Sequence, residues 1–210
     1  MPKLGAANVG KRAANRHPST SRKVLYSIAF ASLPILTAAI GTVAARSDVS
    51  DKYAVTAANG ISMSTIKGYE DWVTVGPSQV DKGAGQEESI KLTVANPTMI
   101  KAYRSGIPPN GMPFPDGSKI VKIEWERVKS TEAPYSVSVP GQLRKVGLIE
   151  KDSHKYPETH GWGYAQFLYD PATGRFTPQH QDPSFAKARC HTCHLAVAAK
   201  DYIFTDYAPR

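Results

Sequence analysis

The chain has 210 residues, of which 41% are hydrophobic and 21% charged, a composition that supports one ordinary folded domain and excludes a disordered chain or a polytopic membrane protein. Its formal net charge is +8, but six lysines and arginines lie before residue 24 and no acidic residue precedes Asp48. The rest of the chain therefore carries a net charge of only +2. Such a surface cannot neutralise many phosphates, so we expect no nucleic-acid partner.

The N-terminal segment has the pattern of an export signal. Residues 1–23 are basic, residues 24–45 carry no charge, and the run ends in Val43-Ala44-Ala45, the small residues that a signal peptidase favours. Residues 1–45 are therefore predicted to be a signal peptide. An uncleaved membrane anchor is the alternative, because the uncharged run is long enough to span a bilayer. In both interpretations the chain after Arg46 is exported.

The exported part begins with small and polar residues, and residues 46–65 are predicted to be a spacer. From residue 66 onwards, short β-type runs alternate with glycine and proline. These runs predict strands at residues 72–75, 90–95, 119–128, 136–139, 146–149 and 163–169.

Two segments carry helix-start signals. Asn96 followed by Pro97 predicts a capped helix through Arg104. The sequence Asp182-Pro183-Ser184 predicts a second helix that runs into the only two cysteines. Strands joined by hairpin-sized links, with helices at the margins, indicate an α+β fold with an antiparallel sheet.

The two cysteines, Cys190 and Cys193, are followed by His194 in the sequence CHTCH. Thiols at this spacing can form thioethers with both vinyl groups of one haem, while the adjoining imidazole binds the iron. The alternatives are a CxxC redox pair, expected in a thioredoxin-like βαβ unit, and half of a zinc site, which would need further ligands. We predict one covalently attached haem c, held by Cys190 and Cys193 with His194 as the iron ligand.

The position of the motif constrains the chemistry of the haem. Only 16 residues follow His194, and none is a methionine that could serve as a second iron ligand. The other methionines and histidines are typical of core, loop or turn positions: Met63, Met99, Met112, His154, His160, His180 and His191. The sequence therefore predicts a five-coordinate iron with an open distal face, which favours gas binding or redox catalysis over simple electron transfer.

With these features together, residues 66–209 resemble the cytochrome P460 family, which comprises bacterial periplasmic mono-haem proteins and is related to the cytochrome c′-beta proteins. The resemblance rests on five segments in a shared order: YEDWVTVG at 69–76, FPDGSKIVK at 114–122, GWGYAQF at 161–167, CHTCH at 190–194 and DYIFTDY at 201–207. It implies that residues 66–210 form a periplasmic haem domain with about five antiparallel strands, flanking helices and a homodimeric assembly.

The resemblance also implies roles for single residues. His194 matches the proximal histidine of the family. Lys122 matches a lysine that is bonded covalently to the haem macrocycle in members that oxidise hydroxylamine and pass electrons to a periplasmic redox partner. Members without this bond bind nitric oxide instead. Hydroxylamine oxidation is therefore the expected function, with nitric oxide binding or sensing as the alternative and electron transfer as the third.

Without the resemblance, the strand pattern gives Lys122 a different role. Alternation along the strand at 119–128 places Ile120, Lys122, Glu124 and Glu126 in one row. A lysine in such a charged row is typically solvated on the outer surface.

Two further residues are candidates for the pocket. Oxidising hydroxylamine requires a proton acceptor, and Asp182 is the nearest match to the acidic pocket residue of the family. Its alternative role is to cap the helix that follows it. Lys91 matches a basic pocket residue of the family, and its alternative is an exposed strand lysine.

Overall fold

The structure is a computed structural model that describes residues 51–83, 87–108 and 111–210. All of them belong to the second of the two units into which the chain divides, Arg46–Arg210. The predicted signal segment at residues 1–45 and the first residues of the predicted spacer lie outside the described residues.

The centre of the fold is one antiparallel sheet in which each strand pairs with its neighbours in sequence. The strands are β1 (Val73–Val80), β2 (Ser89–Ala95), β3 (Lys119–Lys129), β4 (Ser138–Lys151), β5 (Trp162–Asp170) and β6 (Arg175–Pro178). This arrangement confirms the predicted α+β fold with an antiparallel sheet. The sheet has six strands, one more than the approximate number that the resemblance implied.

Two strand predictions differ from the structure. The run at 146–149 and the last two residues of the run at 136–139 belong to the single long strand β4, because Gly141 continues the strand rather than ending it. A Cβ at Gly141 would lie 2.8 Å from Val128 Cγ1, so the close approach of β3 requires glycine there. Strand β6 was not predicted, since it has four residues and follows a turn held by the Asp170 carboxylate, which accepts a hydrogen bond from the Ala172 backbone N at 2.9 Å.

Helix α1 (Pro97–Arg104) begins where the sequence predicts. The Asn96 side chain accepts a hydrogen bond from the Met99 backbone N at 3.1 Å, which caps the first turn. The same oxygen accepts a bond from the Lys119 backbone N at 3.0 Å, and this joins the helix to β3. Three short 3₁₀ helices complete the periphery: Met63–Ile66, Tyr69–Asp71 and Pro157–Thr159.

The segment predicted as a spacer packs onto the domain instead, from residue 51 onwards. Tyr53, Ile61 and Met63 are buried in the hydrophobic core, and Thr56 pairs with Ser62 in an isolated β-bridge. The small and polar residues of this segment concealed these apolar positions in the sequence. Burying them stabilises the domain by about 1.5–3 kcal/mol for each large apolar side chain.

The sheet has different partners on its two faces. Val121 and Ile123 of β3 point into one core, which also contains the N-terminal segment. Ile120 points to the opposite face and joins a second core with α1, Trp162 and Ile203. Alternation along β3 places Lys122 and Glu124 on this second face, next to Ile120.

The second face is covered in part by a C-terminal helix with three consecutive parts. A π-helical part (Ala186–His191) continues into an α-helical turn (Thr192–His194) and a 3₁₀ part (Leu195–Lys200). The predicted C-terminal helix with the CHTCH motif is therefore present. Within the described ranges, none of the helices is long and apolar enough to cross a membrane.

Candidate functional site

A cavity of about 560 Å³ lies between the second face of the sheet and the C-terminal helix. Strands β2 to β5 contribute one wall, which carries both charged and apolar side chains. The C-terminal helix and the segment after it contribute the other wall. The residues that line the cavity include Lys91, Lys122, Glu124, Lys145, Tyr164, Gln179, His180, Phe185, Arg189, Cys190, Cys193 and His194.

All three chemically important residues of CHTCH line this cavity. Helical periodicity places Cys190, Cys193 and His194 on one side of the C-terminal helix. Neither cysteine is part of a disulfide, and burial raises the pKa of Cys190. Two thiols and an imidazole that share the wall of a large cavity fit the attachment of one haem c.

His194 is oriented by the backbone beside it. Its Nδ1–H donates a hydrogen bond to the Tyr202 carbonyl, which leaves Nε2 as the nitrogen that can bind a metal. Burial lowers the pKa of His194, and this favours the neutral imidazole that iron requires. The ring packs against Tyr164, with ring centroids 5.0 Å apart, and against Phe204, with centroids 4.9 Å apart.

An ion pair between the end of β4 and the segment that follows the motif holds the backbone around the Tyr202 carbonyl in place. Lys151 Nζ lies 3.0 Å from Asp201 Oδ1, and the two side chains are only 6% and 10% exposed. Asp201 also accepts a hydrogen bond from the Phe114 backbone N at 2.8 Å. Asp201 and Tyr202 both adopt left-handed backbone conformations, with φ of 47° and 64°. The pair therefore holds the turn that presents the Tyr202 carbonyl to His194.

The two alternative interpretations of the cysteines find no support in the fold. Every strand pairing in the described sheet is antiparallel, so it contains no parallel pair of a thioredoxin-like βαβ unit. Among the residues that the structure describes, no group of three or more histidine, cysteine or acidic side chains could hold a metal ion. A zinc site would need such a group.

Lys122 lines the cavity on the wall opposite the helix. Its side chain is exposed, but the surface that it exposes faces the cavity rather than the outside of the domain. The protein around the cavity lowers the pKa of Lys122 by burial, and the nearby Lys91 lowers it further. A group bound in the cavity would cover the exposed part of this side chain and increase its burial.

Lys91 and Lys145 lie on the same wall, one on each side of Glu124. Lys91 Nζ is 3.2 Å from Glu124 Oε2, and Lys145 Nζ is 3.7 Å from Glu124 Oε1. The three residues are directly opposite one another on β2, β3 and β4. Lys91 therefore lies in the cavity wall. Glu124 lies there too, although the alternation pattern predicts a row of solvated charges. Such a pattern does not distinguish residues that face a cavity from residues that face open water.

The structure does not bring Asp182 to the large cavity. The residue is exposed, and its carboxylate accepts hydrogen bonds from the Ser184 backbone N at 2.9 Å and from Ser184 Oγ at 2.8 Å. These hydrogen bonds lower the pKa of Asp182. Asp182 borders a separate small pocket of about 20 Å³ and lies in the turn before the C-terminal helix, whose N-cap residue is Phe185 rather than Asp182.

Of the histidines other than His194, His180 is the one that lines the cavity within the described residues. Its ring stacks on Phe185 with centroids 3.4 Å apart. Met63 and Met99 are fully buried in the two cores. His191 is bonded on both ring nitrogens, at 3.1 Å from Tyr164 Oη and 3.1 Å from His160 Nδ1. His180, His191, Met63 and Met99 thus all have packing or hydrogen-bond partners in the fold. Neither of these two methionines lies in the cavity wall.

The attachment of the haem gives a direct test of this site. When the purified holoprotein is denatured in acid and extracted with organic solvent, we expect the haem to stay with the polypeptide. Each single variant, Cys190→Ser or Cys193→Ser, should retain haem through one thioether, whereas the double variant should lose all covalent haem. Release of haem from the wild-type protein would contradict this assignment.

Comparison with known proteins supports the same site. The family model described as Cytochrome P460 matches residues 66–205, which is more than half of the chain and includes the whole CHTCH motif. A search of curated proteins finds no matching sequence.

Proposed function

The chain belongs to the cytochrome P460 family and is a haem c protein, and from this premise we propose that it oxidises hydroxylamine in the periplasm. The observation that carries the proposal is the position of Lys122. Its side chain lines the same cavity as Cys190, Cys193 and His194, on the opposite wall. A solvated strand lysine would have no access to a haem held by these three residues.

The proposal includes a covalent bond between Lys122 Nζ and the haem macrocycle. When bound, haem c would supply a redox-active iron and an aromatic macrocycle in the cavity that Lys122 lines. Bond formation replaces one N–H and one C–H bond by an N–C bond, and it removes two protons and two electrons, which a peroxide-class oxidant takes up. The amine must be neutral to attack, and burial supports this because it lowers the pKa of Lys122.

The residues of the cavity suit a small polar substrate. Conversion of one hydroxylamine molecule to nitric oxide removes three protons and three electrons. The electrons pass to a periplasmic redox protein that accepts them one at a time. Lys91 and Lys145 place positive charge beside the substrate space, and Tyr164 and Gln179 contribute polar groups to its wall. No methionine is present among the described cavity-lining residues, which supports an open ligand position.

Peptide mass spectrometry of the digested holoprotein tests the proposal. We expect one haem-containing species that joins the CHTCH peptide to the peptide containing Lys122. The peptide containing Lys91, which comes from the same cavity wall, should be free and serves as the internal control.

Recovery of Lys122 on a free peptide would overturn the oxidase proposal and favour nitric oxide binding. A low-spin iron with two axial protein ligands in electron paramagnetic resonance would instead favour an electron carrier. In that case His180 would be the first side chain to examine, because it lines the cavity.

A further inference from the structure

The cavity wall has more lysine charges than carboxylates to pair with them. Within the described ranges, Glu124 is the only acidic residue that lines the cavity, and Lys91 and Lys145 flank it on the neighbouring strands. Lys91 Nζ is the nearer cation, at 3.2 Å from Glu124 Oε2, whereas Lys145 Nζ lies 3.7 Å from Oε1. One carboxylate offsets one ammonium charge. Lys145 therefore has a positive charge for which the described cavity wall supplies no second carboxylate.

A second lysine–glutamate pair on the same sheet shows a complete arrangement. Lys119 Nζ lies 3.4 Å from Glu150 Oε2, and the two side chains are 22% and 9% exposed, close to the 27% and 9% of Lys145 and Glu124. Lys119 also donates a hydrogen bond to the Thr65 carbonyl at 3.1 Å. The 3.7 Å contact of Lys145 is too long for a hydrogen bond. Its N–H groups are thus available to a bound group.

Lys145 lies at the end of the cavity wall that is remote from the iron ligand. The His194 ring packs against Tyr164 of β5, and Tyr164 pairs with Ile149 of β4. Lys145 precedes Ile149 by four residues on the same face of β4, a separation of roughly 13 Å. Burial lowers the pKa of His180, and the nearby charge of Lys145 lowers it further. The charge of Lys145 therefore acts on the cavity at this remote end.

Between these two positions, β4 has no side chain in the cavity wall. The residue there is Gly147, which lines the cavity halfway between Lys145 and Ile149. A Cβ at Gly147 would meet no atom closer than Lys122 Cε, at 3.9 Å. The wall is therefore open at its middle, as the approach of a flat macrocycle requires.

Haem c has two carboxylates of its own. They belong to the propionate groups, which lie on the edge of the macrocycle opposite the two thioether bonds. Cys190 and Cys193, on the C-terminal helix with His194, are at the thioether edge. We propose that Lys145 binds a haem propionate, to which its Nζ donates a charge-assisted hydrogen bond.

This contact balances the charges of the wall. Lys91 stays paired with Glu124, and Lys145 gains a carboxylate of its own. The inference concerns how the haem is held, so it is independent of the reaction proposed above.

The test compares holoprotein variants in two measurements that need no turnover. Resonance Raman spectra contain propionate bending bands, whose wavenumber falls when a propionate loses a hydrogen bond. Potentiometric titration gives the reduction potential of the haem, which falls when a nearby positive charge is removed, because that charge favours the iron state with one more electron. Lys145→Met removes the charge and the donors, whereas Lys145→Arg keeps both. Lys119→Met is the matched control, because its pair lies outside the cavity wall.

We expect Lys145→Met to shift a propionate band to lower wavenumber and to lower the reduction potential. Lys145→Arg and Lys119→Met should keep the wild-type band and potential. A lower potential with an unchanged propionate band would overturn the inference, because Lys145 would then act through its charge without binding the propionate. Wild-type values of both in Lys145→Met would overturn it as well.

Arg189 is the competing cation, because it lines the cavity directly before Cys190. A propionate band shift in Arg189→Gln, with none in Lys145→Met, would overturn the inference and assign the propionate to Arg189. If Lys145→Met does not load haem, Lys145→Gln removes the charge but keeps a neutral donor. It should lower the potential and shift the band, and wild-type values of both would then count against the inference.

Discussion

Replacing Lys122 by alanine is expected to abolish hydroxylamine turnover and to return the haem absorption to that of an ordinary c-type cytochrome. The reason is that the variant lacks the Lys122 amine, which is the group that the proposal bonds to the macrocycle. Loss of the proposed third covalent attachment would relax the porphyrin, so the spectrum and the activity should change together. Steady-state assays with an artificial one-electron acceptor and absorption spectra of the same samples make the measurement.

Lys122→Arg is the sharper variant because it separates charge from nucleophilicity. The guanidinium group keeps a positive charge in the wall but stays protonated and cannot attack. We expect it to behave as Lys122→Ala does. Lys129→Ala, at the exposed end of the same strand, should keep wild-type spectrum and turnover. Turnover in Lys122→Arg at the wild-type level would show that the lysine acts only through its charge.

Replacing Lys151 by methionine is expected to lower the free energy of unfolding by about 3–5 kcal/mol, the usual cost of leaving a buried carboxylate without its partner. Asp201 would remain buried with its carboxylate uncompensated, and Lys151 would no longer donate a hydrogen bond to the His160 carbonyl at 2.9 Å. Denaturant unfolding of the holoproteins, followed by circular dichroism, measures the difference.

Two further variants control this experiment. Lys151→Met combined with Asp201→Asn removes both charges and should recover part of the lost stability, because no buried charge is then left unpaired. Lys187→Met breaks the exposed ion pair with Glu158, whose atoms are 2.7 Å apart, and should leave the stability nearly unchanged. An effect of Lys151→Met as small as that of Lys187→Met would show that the buried pair does not stabilise the fold.

Local signals in the sequence predicted local structure well. The cap at Asn96 and the CHTCH motif depend on residues within one or two helical turns, so their structures could be read without the rest of the chain. The four-residue strand β6 gave no such signal, because it is defined by its pairing with β5 rather than by its own pattern.

The candidate site depended on contacts that no local pattern contains. The row of Lys122 and Glu124 is charged in sequence, and only the position of the C-terminal helix turns that row into a cavity wall. Lys151 and Asp201 are far apart in the chain, so their pairing could not be predicted. Asp182 is the candidate acidic residue of the pocket because it lies shortly before the motif in sequence. In the structure its side chain lies on the outer surface.

The order of the strands has a consequence for how the domain folds. Each strand of the sheet pairs with the strands before and after it in sequence, and apart from residues 96–118 between β2 and β3 the connections are short, so their closure costs little chain entropy. The wall that carries Lys91, Lys122 and Lys145 can therefore assemble from strands that are neighbours in sequence. The CHTCH segment follows all of these strands in sequence, so a haem attached there would close the cavity against a sheet that does not include the motif.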